Sequence, residues 1–149
     1  MKTTIKISLI FFFSLFFQNS ISCQSLSKDV FMAIQNENFE KLNKLVSDND
    51  LNKCYEAKGS SYNLLAISIK MKSINSLKYF VKRKANLEGQ CTGKTPLMYA
   101  TKYGQLNAVK YLVENGANLE TTNHGRTALD YAKKYEQLEI EKFLRNYKK

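Results

Sequence analysis

Few residues in this 149-residue chain are able to do chemistry. Hydrolytic catalysis needs a nucleophile, a base and an orienting acid, and a zinc site needs three or four convergent ligands. The chain has one histidine, His124, and its Cys54 and Cys91 do not form a close-spaced metal-binding pair. We therefore expect no catalysis and no bound metal or cofactor.

The sequence also lacks a phosphate-binding loop. Gly93-Lys94-Thr95 matches the end of such a loop, but the earlier glycine and the preceding strand are missing. Binding through a surface is then the remaining candidate function, and this surface depends on the helices that build it.

One helix-turn-helix unit extends from Gly93 to Glu120. Thr95 and Pro96 are typical of a helix N-cap and first helical position, and Gly104 and Gly116 are typical of helix ends. Its second helix has apolar residues at the spacing of one buried stripe, namely Leu106, Val109, Leu112 and Val113. Helices this short cannot bury a stripe alone, so the unit predicts copies of itself as neighbours.

The copies occur at a period of 32 residues. Gly125–Ala132 restates Gly93–Ala100, and Ala85–Glu88 is identical to Ala117–Glu120. An N-terminal unit with a longer connection has an apolar stripe predicted at Val30, Ala33, Phe39, Leu42, Leu45 and Val46. The four repeats are predicted to span residues 27–57, 58–90, 91–122 and 123–149.

These repeats resemble the ankyrin repeat family. The Thr-Pro-Leu-His-x-Ala motif and a later Gly-Ala are matched at Thr95, Pro96, Leu97, Ala100, Gly116 and Ala117, with Met98 in place of histidine. The resemblance covers about residues 27–149. It implies an all-α solenoid of about four helix-turn-helix repeats, joined by short β-hairpin-like fingers, that acts by binding a partner.

The second repeat departs most from the motif. It has Asn63-Leu64 in place of Thr-Pro, and Lys72 and Lys84 where the third repeat has glycine. A lysine held in the left-handed backbone conformation costs on the order of 1 kcal/mol relative to glycine. We therefore expect this repeat to be the least stable of the four.

Residues 1–22 have the layout of a secretory signal peptide. Lys2 and Lys6 form a basic head, Ile7 to Phe17 an apolar run, and Gln18 to Ser22 a polar tail ending in small residues. The apolar run is shorter than the roughly 20 residues that a membrane-spanning helix needs. We expect an exported protein, whether periplasmic, secreted or membrane-anchored, with residues 23–149 forming one domain and no linker.

Cys23 leaves two forms of the mature N-terminus open. A cysteine directly after a signal peptide is similar to the lipid-modified first residue of a bacterial lipoprotein, and lipidation would attach the protein to a membrane. Ser20 stands where such proteins usually have leucine, and Ser20 and Ser22 also suit ordinary signal peptidase. The residues leave lipidated and free forms as alternatives.

Cys54 and Cys91 fall in successive fingers of the predicted solenoid. Neighbouring fingers lie side by side in the family, and export would favour a disulfide. A bond requires the two α-carbons to lie within about 4.4 to 6.8 Å, which sequence does not show. A disulfide and two separate thiols both remain open.

In the family, partners dock on the concave side, formed by the fingers and the exposed ends of the first helices. On this chain these positions are Lys70, Met71, Lys94, Lys102, Tyr103, Arg126, Lys134 and Tyr135. Tyrosine offers stiff contact area and lysine offers steering charge, so this surface predicts a partner protein with an acidic surface. For Tyr99 and Tyr131, one turn earlier, packing between repeats is the favoured interpretation. We expect the domain itself to be a monomer.

A basic run offers an alternative function. The net charge is +10, and the segment from Ala57 to Leu87 has seven basic residues and no acidic one. Such a run is usually a solvated face, but it also suits anionic lipid or an acidic polymer at the cell envelope. Nucleic acid is disfavoured as a partner because export separates the protein from it.

Mass spectrometry of protein purified from its own cells tests the expected processing. We expect a mature chain that begins at Cys23 or Gln24, because residues 1–22 are removed on export. An added mass of acyl chains on Cys23 would identify the lipoprotein form, and an unmodified amine would identify the free form. Intact Met1 on the mature protein would contradict the signal peptide.

Overall fold

The computed structural model of the chain describes residues 24–57 and 59–147. Over these residues it contains eight helices arranged as four consecutive pairs, so the predicted all-α repeat architecture is confirmed. The helices are α1 (Lys28–Gln35), α2 (Phe39–Leu45), α3 (Leu64–Lys70), α4 (Ile74–Lys82), α5 (Pro96–Lys102), α6 (Leu106–Glu114), α7 (Ala128–Lys134) and α8 (Leu138–Asn146). A 3-10 turn, Asp48–Asp50, follows α2.

The helices form two rows. In the first row α3 packs against α5 and α5 against α7, and in the second row α4 packs against α6 and α6 against α8. The core lies between the rows, where Ile34, Leu77, Leu97, Leu112 and Ile140 are almost fully buried. The second, third and fourth helix pairs therefore bury their apolar stripes against one another as well as internally.

Side-chain caps begin the first-row helices. The Thr95 hydroxyl accepts a hydrogen bond of 3.3 Å from the Met98 N–H, and Thr127 and Asp130 form a reciprocal capping box at the start of α7. Asn63 serves the same purpose for α3, and its amide also donates to the Gly89 carbonyl in the next finger. The departure from Thr-Pro in the second repeat thus retains the cap and adds a link between fingers.

The recurring Ala-Asn-Leu-Glu segments have a structural explanation. Asn86 and Asn118 each accept a hydrogen bond of 2.9 Å, from the N–H of Glu88 and of Glu120 respectively. The Glu88 carboxylate then accepts from the Asn118 N–H at 2.8 Å and from the Thr121 hydroxyl at 2.6 Å. The identical residues therefore form the same turn in the second and third repeats, and Glu88 attaches the second repeat to the third.

The fingers differ from one another. The first is a hairpin of β2 (Tyr55–Ala57) and β3 (Ser60–Tyr62), and a short strand β1 (Gln24–Ser25) pairs with β2 in parallel. The last finger has only an isolated bridge between Asn123 and Arg126. The strand β1 was not predicted, because two residues have too little pattern to be recognised in a sequence.

A disulfide joins Cys54 to Cys91, whose α-carbons are 5.6 Å apart. The two cysteines are 37 residues apart in the chain and lie in successive fingers, so the loop that they close contains the second repeat, α3 and α4. Lys72 and Lys84 in this repeat have φ values of 57° and 66°, the strained conformation anticipated for them. The covalent bond thus encloses the repeat that departs most from the family motif.

Part of the stripe predicted for the first repeat was wrong. Phe39 and Leu45 are 36% and 40% exposed, whereas Phe80 and Leu112, which correspond to Leu45 in later repeats, are fully buried. The later residues are covered by the preceding helix pair, and α1 and α2 are the first pair that the structure describes. Leu138, the copy of Leu106, is likewise 76% exposed.

Replacing both Cys54 and Cys91 by serine should lower the free energy of unfolding by about 4 kcal/mol. A loop of this length regains that much chain entropy in the unfolded state once the bond is absent. Equilibrium urea denaturation measures the loss, and reductant should produce the same loss in the unaltered protein but none in the double variant. A change below about 1 kcal/mol would mean that the bond contributes little to stability.

Exchange of residues between Lys84 and Gly116, which occupy the same position in successive repeats, tests the backbone strain. Lys84→Gly should raise the free energy of unfolding by about 0.5 to 1 kcal/mol, and Gly116→Lys should lower it by about 1 kcal/mol. A β-carbon added at Gly116, where φ is 98°, meets no atom of the described residues within 4 Å, so the second change isolates the backbone. Thermal unfolding measures the stability change of each variant. Changes of the same sign and size would contradict the assignment of backbone strain to this position.

Candidate functional site

Tyrosine rings form two neighbouring clusters on one side of the first helix row. The ring centre of Tyr62, in β3, lies 5.5 Å from that of Tyr99 in α5, and Tyr99 stacks on Tyr103 at 6.3 Å. In the next repeat Tyr131 stacks on Tyr135 at 6.1 Å. We call these five residues and the lysines beside them the Tyr/Lys face.

The repeat register places these side chains. Tyr103 and Tyr135 are the C-cap residues of α5 and α7, and Met71 holds the same position after α3. Each helix ends there because the next residue, Lys72, Gly104 or Glu136, adopts the left-handed conformation. Since the three helices pack side by side, one side chain per repeat leaves its helix at the same level.

Lysine ammonium groups lie over the tyrosine rings. The Lys70 nitrogen is 3.7 Å from the ring centre of Tyr62, and the Lys94 nitrogen is 6.0 Å from that of Tyr99. Lys102 lies between two repeats, with its nitrogen 5.6 Å from the Tyr103 ring centre and 5.7 Å from that of Tyr135. Lys134 lies 5.6 Å from the Tyr135 ring centre. Each such contact at an exposed site is worth about 0.5 to 1 kcal/mol.

No ion pair among the described residues neutralises the lysines of this face. The ion pairs found there engage other cations, in Lys41–Asp29, Lys44–Glu40, Lys53–Asp50, Arg83–Asp48, Lys133–Asp130 and Arg145–Glu141. Lys70, Lys94, Lys102 and Lys134 therefore lie beside aromatic rings and form no ion pair within this part of the chain.

The tyrosines divide into packed and accessible ones. Tyr99 and Tyr131 are 5% and 4% exposed, and burial raises the pKa of both phenols. The Tyr99 hydroxyl shares a hydrogen bond of 2.7 Å with Thr92, and the Tyr131 hydroxyl donates to Asn123 at 2.8 Å. Tyr103 is 38% exposed. Packing between repeats therefore explains Tyr99 and Tyr131, the interpretation that the sequence favoured for them. Tyr103 remains accessible to a ligand.

Tyr62 is the member of this face that sequence reasoning missed. It is half-buried, and a hydrogen bond from Lys70 lowers the pKa of its phenol. A signal was present, because Tyr62 occupies the repeat position of Lys94 and Arg126 directly before each helix N-cap. Sequence reasoning took only the charged residues Lys94 and Arg126 from this repeat position.

Two of the residues predicted for binding have a different environment. Met71 is half-buried and packs on the core, so it adds apolar surface next to Lys70. Arg126 is exposed in the last finger, and its charge acts on the Tyr131 phenol by lowering that group's pKa against the larger effect of burial. Both lie at the border of the Tyr/Lys face.

The basic run between residues 57 and 87 is divided between the two helix rows. Lys70 belongs to the Tyr/Lys face, whereas Lys78, in α4, lies 5.5 Å from the Tyr111 ring centre in α6. Arg83 pairs with Asp48 at 2.7 Å and donates to the Tyr79 hydroxyl at 3.3 Å. Lys58 lies outside the described residues. Neighbours in sequence are thus distributed over different surfaces.

The second helix row has an open groove of about 720 Å³ between α6 and α8, lined in part by Leu106, Lys110 and Phe143. Within residues 24–57 and 59–147, no group of three or more His, Cys, Asp or Glu side chains is placed to hold a metal ion. In the same part of the chain, no helix has the length and apolar character needed to cross a membrane. The predicted signal peptide and Cys23 lie outside these residues.

Comparison with known protein families gives one match. A family model described as ankyrin repeats (3 copies) matches residues 30–123 and, in a second alignment, residues 92–149. The two matches together span all four helix pairs. A search among curated proteins finds no match.

Proposed function

Because this chain belongs to the ankyrin repeat family, whose repeats are interaction modules that bind proteins and are generally non-catalytic, we propose that its Tyr/Lys face binds the acidic surface of a partner protein. The residues assigned to contact are Tyr62, Lys70, Met71, Lys94, Lys102, Tyr103, Arg126, Lys134 and Tyr135.

The arrangement of charge carries this proposal. Four lysines of one face lie beside tyrosine rings, while the ion pairs of the described residues engage cations elsewhere. Lys133 shows the contrast within one helix, because it pairs with Asp130 whereas the adjacent Lys134 lies over Tyr135. Carboxylates supplied by a partner complete the charge balance that the domain itself lacks here.

The two residue types make different contributions to binding. Tyrosine buries a large rigid area with little loss of side-chain entropy, so Tyr103 and Tyr135 supply most of the affinity. Lysine accelerates the encounter with an acidic surface and excludes basic competitors. Cys54–Cys91 and the β2–β3 hairpin hold Tyr62 in place, since Tyr62 pairs with Tyr55, the residue next to Cys54.

We also propose that the protein is exported. The predicted signal peptide supports this location, and so does a disulfide between fingers, since such bonds persist in oxidising compartments. The alternative of binding anionic lipid or an acidic polymer through the basic run is less favoured, because Lys70 and Lys78 belong to different helix rows.

Affinity purification from the cell envelope tests the binding face. The full chain with a C-terminal tag is crosslinked in its own cells, and the captured partner is quantified for the unaltered protein and for Tyr103→Ala with Tyr135→Ala. We expect the double variant to lose about 90% or more of the partner, since tyrosine anchors typically contribute more than 1 kcal/mol each. Tyr111→Ala, on the second helix row, is the matched control and should retain capture.

Salt concentration then separates the two functions. Raising ionic strength from 0.1 to 1 M shortens the screening length from about 10 Å to about 3 Å. Capture anchored by tyrosine should persist, whereas adsorption through the basic run should disappear. Unchanged recovery with the Tyr103 and Tyr135 double variant, in protein that unfolds at the same temperature, would refute the assignment of this face.

A further inference from the structure

The lysines of the Tyr/Lys face repeat at a fixed interval. Lys70, Lys102 and Lys134 are the last residues of α3, α5 and α7, so each repeat contributes one ammonium group at the same helical level. Helices that pack side by side have axes about 8 to 10 Å apart. Equivalent backbone positions of successive repeats are therefore about 9 Å apart, and the row has one lysine at each of them.

Tyrosine rings separate these charges. Tyr62 lies under Lys70 and 5.5 Å from the ring centre of Tyr99 in the next repeat, while Tyr135 lies between Lys102 and Lys134. The order along the face is Lys70, Tyr62, Lys102, Tyr135 and Lys134, with Tyr103 exposed beside Lys102. A ligand that follows the row meets a cation and an aromatic surface in alternation.

The spacing selects a backbone conformation for such a ligand. A polyproline II helix has three residues per turn and a rise of about 3.1 Å per residue, so every third side chain points the same way at intervals of about 9 Å. In a β-strand, side chains alternate between two faces, so residues three apart point in opposite directions. An α-helix advances about 5.4 Å per turn, so only residues two turns apart, seven positions along the chain, approach this spacing, at about 10.5 Å.

We infer that the Tyr/Lys face binds a polyproline II segment of a partner protein that carries a carboxylate at every third position. This inference rests on the proposed function and specifies its ligand. The carboxylates lie on Lys70, Lys102 and Lys134, and the two residues between them contact the tyrosine rings.

The aromatic surface suits this ligand for a second reason. Proline-rich segments dock on aromatic-lined grooves because the helix is already formed and little entropy is lost on binding. Tyr103 is 38% exposed, and the half-buried Tyr62 and Tyr135 border the same row. A segment with an acidic residue at every third position and prolines between therefore fits both the lysines and the tyrosine rings of the face.

Synthetic peptides of about 12 residues, long enough for four turns of a polyproline II helix, test the register. The first repeats the triplet Glu-Pro-Pro, and the second, a block peptide of the same composition, has all its glutamates before all its prolines. The third repeats Gln-Pro-Pro, and the fourth repeats Glu-Thr-Val, which favours a β-strand. Each is labelled with fluorescein and titrated against the full chain with its disulfide intact.

Fluorescence anisotropy measures the dissociation constants of the four peptides at about 0.1 M salt, where exposed charges are only partly screened. We expect the Glu-Pro-Pro peptide to bind about tenfold more tightly than each of the others, since only it places three carboxylates on three lysines.

Variants locate the site. Lys102→Gln and Lys134→Gln should each weaken binding of the Glu-Pro-Pro peptide by about twofold, the effect of losing one exposed ion pair. The matched controls are Lys110→Gln and Lys142→Gln, which remove lysines of the second helix row and should leave binding unchanged.

Equal binding of the Glu-Pro-Pro peptide and the block peptide, or equal loss with the control variants, would overturn the inference, as would failure of the Glu-Pro-Pro peptide to bind. If the peptides give such a result while capture of the cellular partner still depends on the tyrosines, the proposed function stands and only the polyproline II ligand is refuted. Loss of that capture as well would refute both.

Discussion

The structure depends on one constraint: each helix pair is too short to bury its own apolar stripe. Helices of 7 to 9 residues are marginal in isolation, and they persist because each pair is covered by the next. The contrast between Leu45, 40% exposed in the first pair, and its buried counterparts Phe80 and Leu112 shows the contribution of a preceding neighbour. Stability is therefore a property of the junctions between repeats.

Those junctions are reinforced where the second repeat meets its neighbours. Ser76 donates to the Ile34 carbonyl at 2.9 Å, Gln105 donates to the Ile69 carbonyl at 2.6 Å, and the Glu88 carboxylate holds the following turn. The disulfide then closes a loop around this repeat, which carries two lysines in left-handed conformations. In a linear array one weak unit would divide the solenoid, and the covalent bond keeps its two ends together.

The same stacking that stabilises the solenoid produces the Tyr/Lys face. A repeat that places one side chain at a helix end also places its copies at the same level in the next helices, so Lys70, Lys102 and Lys134 form a row without further design. The tyrosines serve both purposes, since Tyr99 and Tyr131 seal the repeats while Tyr103 is accessible. Residue type on this face is thus free to vary only at positions whose side chains are not packed in the core.

The sequence by itself determined the repeat period, the helix pairs, the caps at Thr95 and Thr127 and the helix ends, because these follow from local residue preferences and from an apolar stripe of helical spacing. The sequence also indicated most residues of the Tyr/Lys face, since residues at equivalent positions of successive repeats lie in similar surroundings. Only the tertiary structure decided that Tyr62 joins this face and that Cys54 bonds to Cys91. These features depend on how far apart residues of different repeats lie after stacking, and separation along the chain does not fix that distance.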